Sequence, residues 1–559
     1  NATAGTGGLI AGNAALAATR TDSTTQLSIG RNAVLDVSRL DARALHDSNY
    51  AGSANSTSAG VLNASGANVN NRADATVGLL VDEDAQIVSA GSLVLRTDNN
   101  YTGTLGSELA ASAAGGGVLS GSAAQVVTRL DGSSTIDIGK GALLRAGVAP
   151  TPGDGGALDL VANTRANTDD RAGLTTGGAI NAAVVKARTN AVLGNRVNIG
   201  DDARLQSSYM LNVGTYAATD IGATALVNTW GVLAAVGISD ADVALAMDQQ
   251  VNVGRGAKLE SLHNAFVSAG QDGMNGWTSR LAANAVSQGY SRGLIAVPDS
   301  SASSTVDSNA STTLAAGSEL LSGAFVSLGA YGENVFRNAD GAATGYQLGF
   351  IPVTVRDSRS GGSTRGDVLI DGRVVAGRYN VLDILIDANG KLTSTGSGGD
   401  VLPFDTQREL SSALEARLNA SGIHDFDAIS GNALYTHTIG DLYAAGGDVI
   451  LYGRNILGSG SVTAKGAPKI TITNRSTDNL LLAGDILVPE YSGGNVLFTG
   501  NSNQAVGIGV SQNPGQSNAL VSIRNEATSG TAAIGAGGLI SVTGGDLDSG
   551  ACMARLLAE

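Results

Sequence analysis

The chain has 559 residues, with 78 Gly, 8 Pro, 1 Cys, only 4% aromatic and 15% charged residues, and a formal net charge of −15. Without glycine at every third position and abundant proline it is not collagen, and the single Cys552 excludes an internal disulfide framework or a cysteine-rich metal cluster. The acidic excess comes without a Lys/Arg stripe, so nucleic acid is not expected as a partner.

Residue 1 leads directly into NATAGTGGLIAG, with no basic segment followed by an apolar run, so the chain reads as a mature or excised fragment. A membrane-spanning helix needs about 20 uninterrupted apolar residues, and every candidate run is broken sooner by Asn, Asp, Gly or Arg. Disorder is opposed by the 43% hydrophobic residues, which come in short alternating runs able to bury one face.

The first repeated element is IGRNAVL from Ile29. It returns as VDEDAQI at Val81, IGKGALL at Ile138, IGDDARL at Ile199, VGRGAKL at Val253 and, more loosely, LAAGSEL at Leu314. The fifth positions Ala33, Ala85, Ala142, Ala203, Ala257 and Ser318 lie 52, 57, 61, 54 and 61 residues apart, a coarse internal period. Each heptamer is read as a strand end, a Gly corner at the second position, a freely variable polar step at the third and fourth, then Ala and Leu pointing inward. Apolar runs follow each copy, such as GSLVLRT from Gly91 and NAFVSAG from Asn264, and alternate as strands do.

Between the copies lie Ala-, Asn- and Thr-rich stretches, for example NSTSAGVLNASGANVNNRADATVGLLV from Asn55. These read as short strands separated by small-residue corners. With strands of about five residues, a three-strand circuit takes roughly 20–25 residues, and each repeat unit would hold two or three circuits. The expected fold is therefore all-β, a right-handed parallel β-helix or solenoid, rod-like and about 110 Å long.

Residues 1–350 form its irregular, Ala/Asn/Gly-rich part and 351–549 a more regular part with cleaner alternation, as in DVILYGRNILGSGSVTAKG. One inserted helix is expected over 405–418. There Thr406 and Glu409 have capping-box spacing, Leu410, Leu414 and Leu418 recur at four-residue steps, and Gly422 follows. Residues 550–559 read as a tail.

Chemistry is sparse. His46, His263, His424 and His437 show no ligand spacing, no phosphate loop follows the glycine runs, and no cofactor or metal is expected. Carboxylates on adjacent circuits remain the one route to a polysaccharide-cleaving site, and no catalytic residue is assigned. Exposed rings can stack on sugars, so Trp230, Trp277, Tyr290, Tyr331 and Tyr346 are the candidate glycan or receptor contacts.

The heptamers, their trailing VSAGSLVL, NAFVSAG and GAFVSLG strands and the AGGDVILYGRNILGSGSVTAKG rungs resemble the exoproteins of bacterial two-partner secretion, the filamentous-haemagglutinin-like and leukotoxin-like adhesins. That resemblance implies a secreted or cell-surface filament exported through an outer-membrane secretion partner. Its partners would be a host or bacterial surface receptor or a polysaccharide, including biofilm polymer. The family's Asn-Pro-Asn-Gly secretion motif is not matched, only NPG at Asn513 to Gly515. The alternatives are a carbohydrate-active β-helix, or an inert stalk that presents or delivers a toxin located elsewhere.

Overall fold

The computed structural model describes residues 1–376, apart from 104–107, 149–155, 262, 323–324 and 337–342. Beyond 376 it describes isolated strand segments without their side chains. The described residues are strands and turns, and the strands pair almost entirely in parallel.

At each heptamer the chain turns. The backbone N–H of the fifth residue donates to the carbonyl of the second, as Ala142 does to Gly139 and Ala203 to Gly200 (both 3.3 Å). The fourth residue has positive φ: Asn32 (56°), Asp84 (55°), Gly141 (67°), Asp202 (58°), Gly256 (67°) and Gly317 (77°). This is the pattern of a type II turn, whose third residue must be left-handed, and Gly, Asn and Asp are the residues that tolerate it. The fourth position is thus restricted by backbone geometry, where the sequence suggests a freely variable step. The fifth and seventh positions do point inward: Ala85, Ala142, Ala203, Ala257, Ile87, Leu144 and Leu205 are fully buried.

After the turn come four-residue strands, Gln86–Ser89, Leu143–Ala146, Arg204–Ser207, Lys258–Ser261 and Glu319–Ser322, stacked in register into one narrow sheet. Their aliphatic side chains meet those of the neighbouring strands in a core of Leu, Ile, Val and Ala. We call this end of each layer the base.

The stretches between heptamers are long strands: Ala2–Ile29, Ala54–Val81, Ala111–Ile138, Leu158–Ile199, Leu211–Val253 and Arg280–Leu314. Each doubles back on itself. The Thr189 hydroxyl donates to Asp170 Oδ2 at 2.7 Å within one strand, although a straight strand would hold these residues about 60 Å apart. Ser58 donates to the Ala64 carbonyl (3.0 Å), Asn181 to the Thr176 carbonyl (2.9 Å) and the Ala285 N–H to Ser304 Oγ (3.0 Å), which places the bends. Along most of each limb inward positions alternate with outward ones, and the inward residues are mostly Ala, Ser, Thr and Asn. Such small side chains let the two limbs approach as a thin double sheet with its own Ala-rich core.

Adjacent layers pair in register. Ala2 faces Ala54, Ala54 faces Ala111 and Ala111 faces Ala172, so one layer consumes one whole repeat unit. The stack runs across residue 350: Ala343–Pro352, Val355–Gly361 and Thr364–Ile370 all pair with Arg280–Leu314.

The expected simple right-handed β-helix is therefore corrected. Gly and Asn in the interludes read as corners, but they occupy positions within continuous strands. The long strands act as hubs: Leu158–Ile199 pairs with Leu93–Thr102, Ala111–Ile138 and Leu211–Val253, giving a branched topology rather than narrow stacked circuits. Among the described residues there is no helix, and the helix expected over 405–418 lies outside them.

Candidate functional site

The register sorts the predicted aromatic residues. Asn228 faces Tyr290, which faces Tyr346, in three successive layers, and the two tyrosine rings lie 6.3 Å apart. In the next outward column Trp230 faces Arg292. The Arg292 guanidinium sits 4.5 Å from the centre of the Tyr290 ring and donates to its hydroxyl at 2.9 Å, a cation–π contact with a hydrogen bond. Tyr346 is 62% exposed and Trp230 is 53% exposed, its indole lying across Gly177 where a Cβ would collide with it.

Tyr290, Arg292 and Tyr346 line an open cleft of about 620 Å³, together with Gln288 on the strand of Tyr290 and with Leu226 and Asn228 on the adjoining strand. Apolar ring faces beside amide and guanidinium donors can take a ligand with both hydrophobic faces and hydroxyl groups.

The other two predicted contacts lie elsewhere. Trp277 is in a small antiparallel pair with Gln271–Asp272, and its ring packs 5.8 Å from that of Tyr216. Tyr331 packs its ring over Gly329 and donates its N–H to the Ala269 carbonyl. Arg292, Asn228 and Gln288 are functional candidates that sequence reasoning missed. Their signal is alignment on the bends, since Tyr290 and Tyr346 each precede a Gly-Leu-Ile or Gly-Phe-Ile bend by three residues.

Carboxylates from neighbouring layers do converge, in the interior. Arg96 reaches Asp159 at 2.5 Å and Asp272 at 3.4 Å, and the Asn212 amide donates to both, at 2.8 and 2.9 Å. Burial pushes the Asp159 carboxyl up, against the pull of Arg96 and Asn212. With both carboxylates buried and paired, this cluster ties layers together and offers no open face to a substrate. Asp170, fully buried, is pushed up to about 6 by burial, against hydrogen bonds from Thr128 and Thr189. His46 is buried, 2.9 Å from Asn99 Oδ1. Among the described residues no three His, Cys, Asp or Glu side chains are grouped to hold a metal.

Comparison with known proteins identifies no relative: no family model, curated protein or solved structure matches this chain.

Proposed function

We propose that the chain is an extracellular adhesive segment, a layered scaffold that attaches to cells, surfaces or biofilm polymer by binding carbohydrate at the Tyr290–Tyr346 cleft. The observation that carries this reading is the tyrosine pair on adjacent layers, joined to Arg292 and flanked by Asn228 and Gln288. Sugar rings stack their C–H faces on such side chains while their hydroxyls take the guanidinium and amide donors. The resemblance to two-partner-secretion adhesins supports placement at a bacterial surface, with an outer-membrane export partner.

A glycan array with the purified chain, followed by a reducing-end assay on each bound polysaccharide, tests the proposal. Binding is expected to fall at least tenfold in both Tyr290→Ala and Tyr346→Ala, with no reducing ends released. Release of reducing ends would move the chain to the carbohydrate-active class. Absence of any bound glycan, or binding untouched by both substitutions, would overturn the assignment.

A further inference from the structure

Every long strand bends at the same three-residue signature, a glycine followed by two apolar residues. The copies are Gly8-Leu9-Ile10, Gly60-Val61-Leu62, Gly117-Val118-Leu119, Gly178-Ala179-Ile180, Gly231-Val232-Leu233, Gly293-Leu294-Ile295 and Gly349-Phe350-Ile351. Stacking brings them into a single file along the edge opposite the base. A Cβ on Gly117 would collide with the Gly60 carbonyl oxygen, and one on Gly178 with that of Gly117, so glycine is needed for the layers to close at this edge.

The polarity of this crest is reversed. Inside the bends sit hydrogen-bonded polar groups: Asn63 donates to Ser120, and Ser120 meets Thr176, which donates to Asn181. Outside stand the aliphatic side chains, with Ile10 75%, Val232 70% and Phe350 85% exposed. Together the crest residues leave on the order of 1,000 Å² of apolar surface in water, above the ~300–600 Å² of the largest patch on a typical monomer. In a chain of net charge −15, no carboxylate lies within two residues of any of these signatures, and the only charged side chain there is Arg292.

We propose that this crest is a lipid-inserting edge that seats the stack on the surface of a neutral, zwitterionic bilayer. Its shape selects the occupant. The crest is convex, about 29 Å long for seven layers and about 10 Å across the double sheet, a footprint of roughly 300 Å². A second rigid copy meeting it edge to edge would bury little more than that, short of the ~800 Å² per partner of a stable interface. Fluid acyl chains close around a convex edge and cover its flanks as well, and the net negative charge turns the chain away from anionic headgroups.

The crest is partly prepared for a medium without water. Ladder pairing resumes at the last residue of most signatures, Ile10 with Leu62, Leu62 with Leu119, Leu119 with Ile180 and Ile295 with Ile351, which leaves short gaps at the middle residues and a register shift at Gly231–Ala234. Trp230, Tyr290, Tyr346 and Arg292 lie one to three residues from the crest glycines, at headgroup depth for an edge inserted by about 5–10 Å.

The inference is carried by the exposed aliphatic crest and does not need the carbohydrate reading, although Tyr290, Tyr346 and Arg292 border both. Its test is flotation of the full chain with phosphatidylcholine vesicles, with and without added phosphatidylserine, beside the variant Val232→Ser/Leu233→Ser/Leu294→Ser/Ile295→Ser. The chain is expected to float with phosphatidylcholine, less well when phosphatidylserine is added, and the variant to bind about tenfold or more weakly. A second reading needs no crest substitution. Trp277→Phe leaves Trp230 as the only tryptophan, and its emission should shift to the blue on adding phosphatidylcholine vesicles. A chain that stays with the soluble fraction, a folded variant that floats equally well, or unmoved Trp230 emission overturns the proposal. So does lipid-free self-association that the variant abolishes, which would assign the crest to a second copy.

Discussion

The two ends of each layer solve the same problem, reversing the chain in register with its neighbours, in opposite ways. At the base, a four-residue turn with a left-handed Asn, Asp or Gly keeps charge outside and packs Ala and Leu inside. At the crest, a glycine pressed against the layer below carries Leu, Ile, Val or Phe outward over a buried ladder of Ser, Thr and Asn. The base is what hydrophobic burial alone would produce. The crest leaves apolar surface in water while spending its interior on hydrogen bonds, so folding stability does not explain it.

Paired truncations should break this comparison most sharply. Leu144 is fully buried at the base, and Leu144→Ala should cost about 2–5 kcal/mol. Leu119, exposed at the crest, should change stability by no more than about 0.5 kcal/mol when replaced by Ala. Urea denaturation of the two variants checks both, and equal losses would erase the distinction between the two ends.

The limbs joining base and crest carry a pH signature. Burial raises Asp170 from 3.8 to about 6, so the folded chain holds that proton more tightly than the unfolded chain does. Its contribution is fully present below about pH 4 and is lost as pH rises through about 6, an effect of roughly 2–3 kcal/mol. Asp159 is shifted in the same direction by its burial. Urea midpoints measured from about pH 4 to 7 should fall with rising pH, and Asp170→Asn should flatten that slope.

A smaller effect separates two glycines of one strand. Gly117→Ala forces a Cβ into the Gly60 carbonyl and should cost about 1–3 kcal/mol. Gly121→Ala, with open space around its Cβ position, should be neutral or slightly stabilising. Thermal unfolding of both variants distinguishes a close-packed crest from a loose one.

Much of the base was legible from sequence. The heptamer copies gave the repeat length, the parallel stacking and the inward Ala and Leu, because large aliphatic side chains at fixed positions leave a strong pattern. The long limbs were misread because Asn63 and Asn71 are breakers by composition, yet sit inward in a strand where ladders satisfy them: Asn71 donates to Thr128 at 3.1 Å and Asn63 to Ser120 at 3.3 Å. Propensity is local, whereas the in-register neighbour that supplies the hydrogen bond is more than fifty residues away. The crest was overlooked for a related reason. Leu9-Ile10 or Val118-Leu119 in isolation looks like core, and only its register with equivalent pairs puts it outside. The Tyr290–Tyr346 pair was within reach as two of five candidates, but Arg292 became visible only once the bends were aligned.

The most direct test of the layered architecture is disulfide trapping across the crest in a chain whose only native cysteine has been replaced, Cys552→Ser. Leu62 and Leu119 are 57 residues apart in sequence and direct partners in adjacent layers, within the roughly 4.4–6.8 Å Cα separation that a disulfide requires. Leu62→Cys with Leu119→Cys should therefore cross-link nearly completely on mild oxidation. Leu62→Cys with Leu233→Cys, three layers apart at about 14 Å, should not. Failure of the first pair to close, or equal closure of both, would contradict one wide layer per repeat.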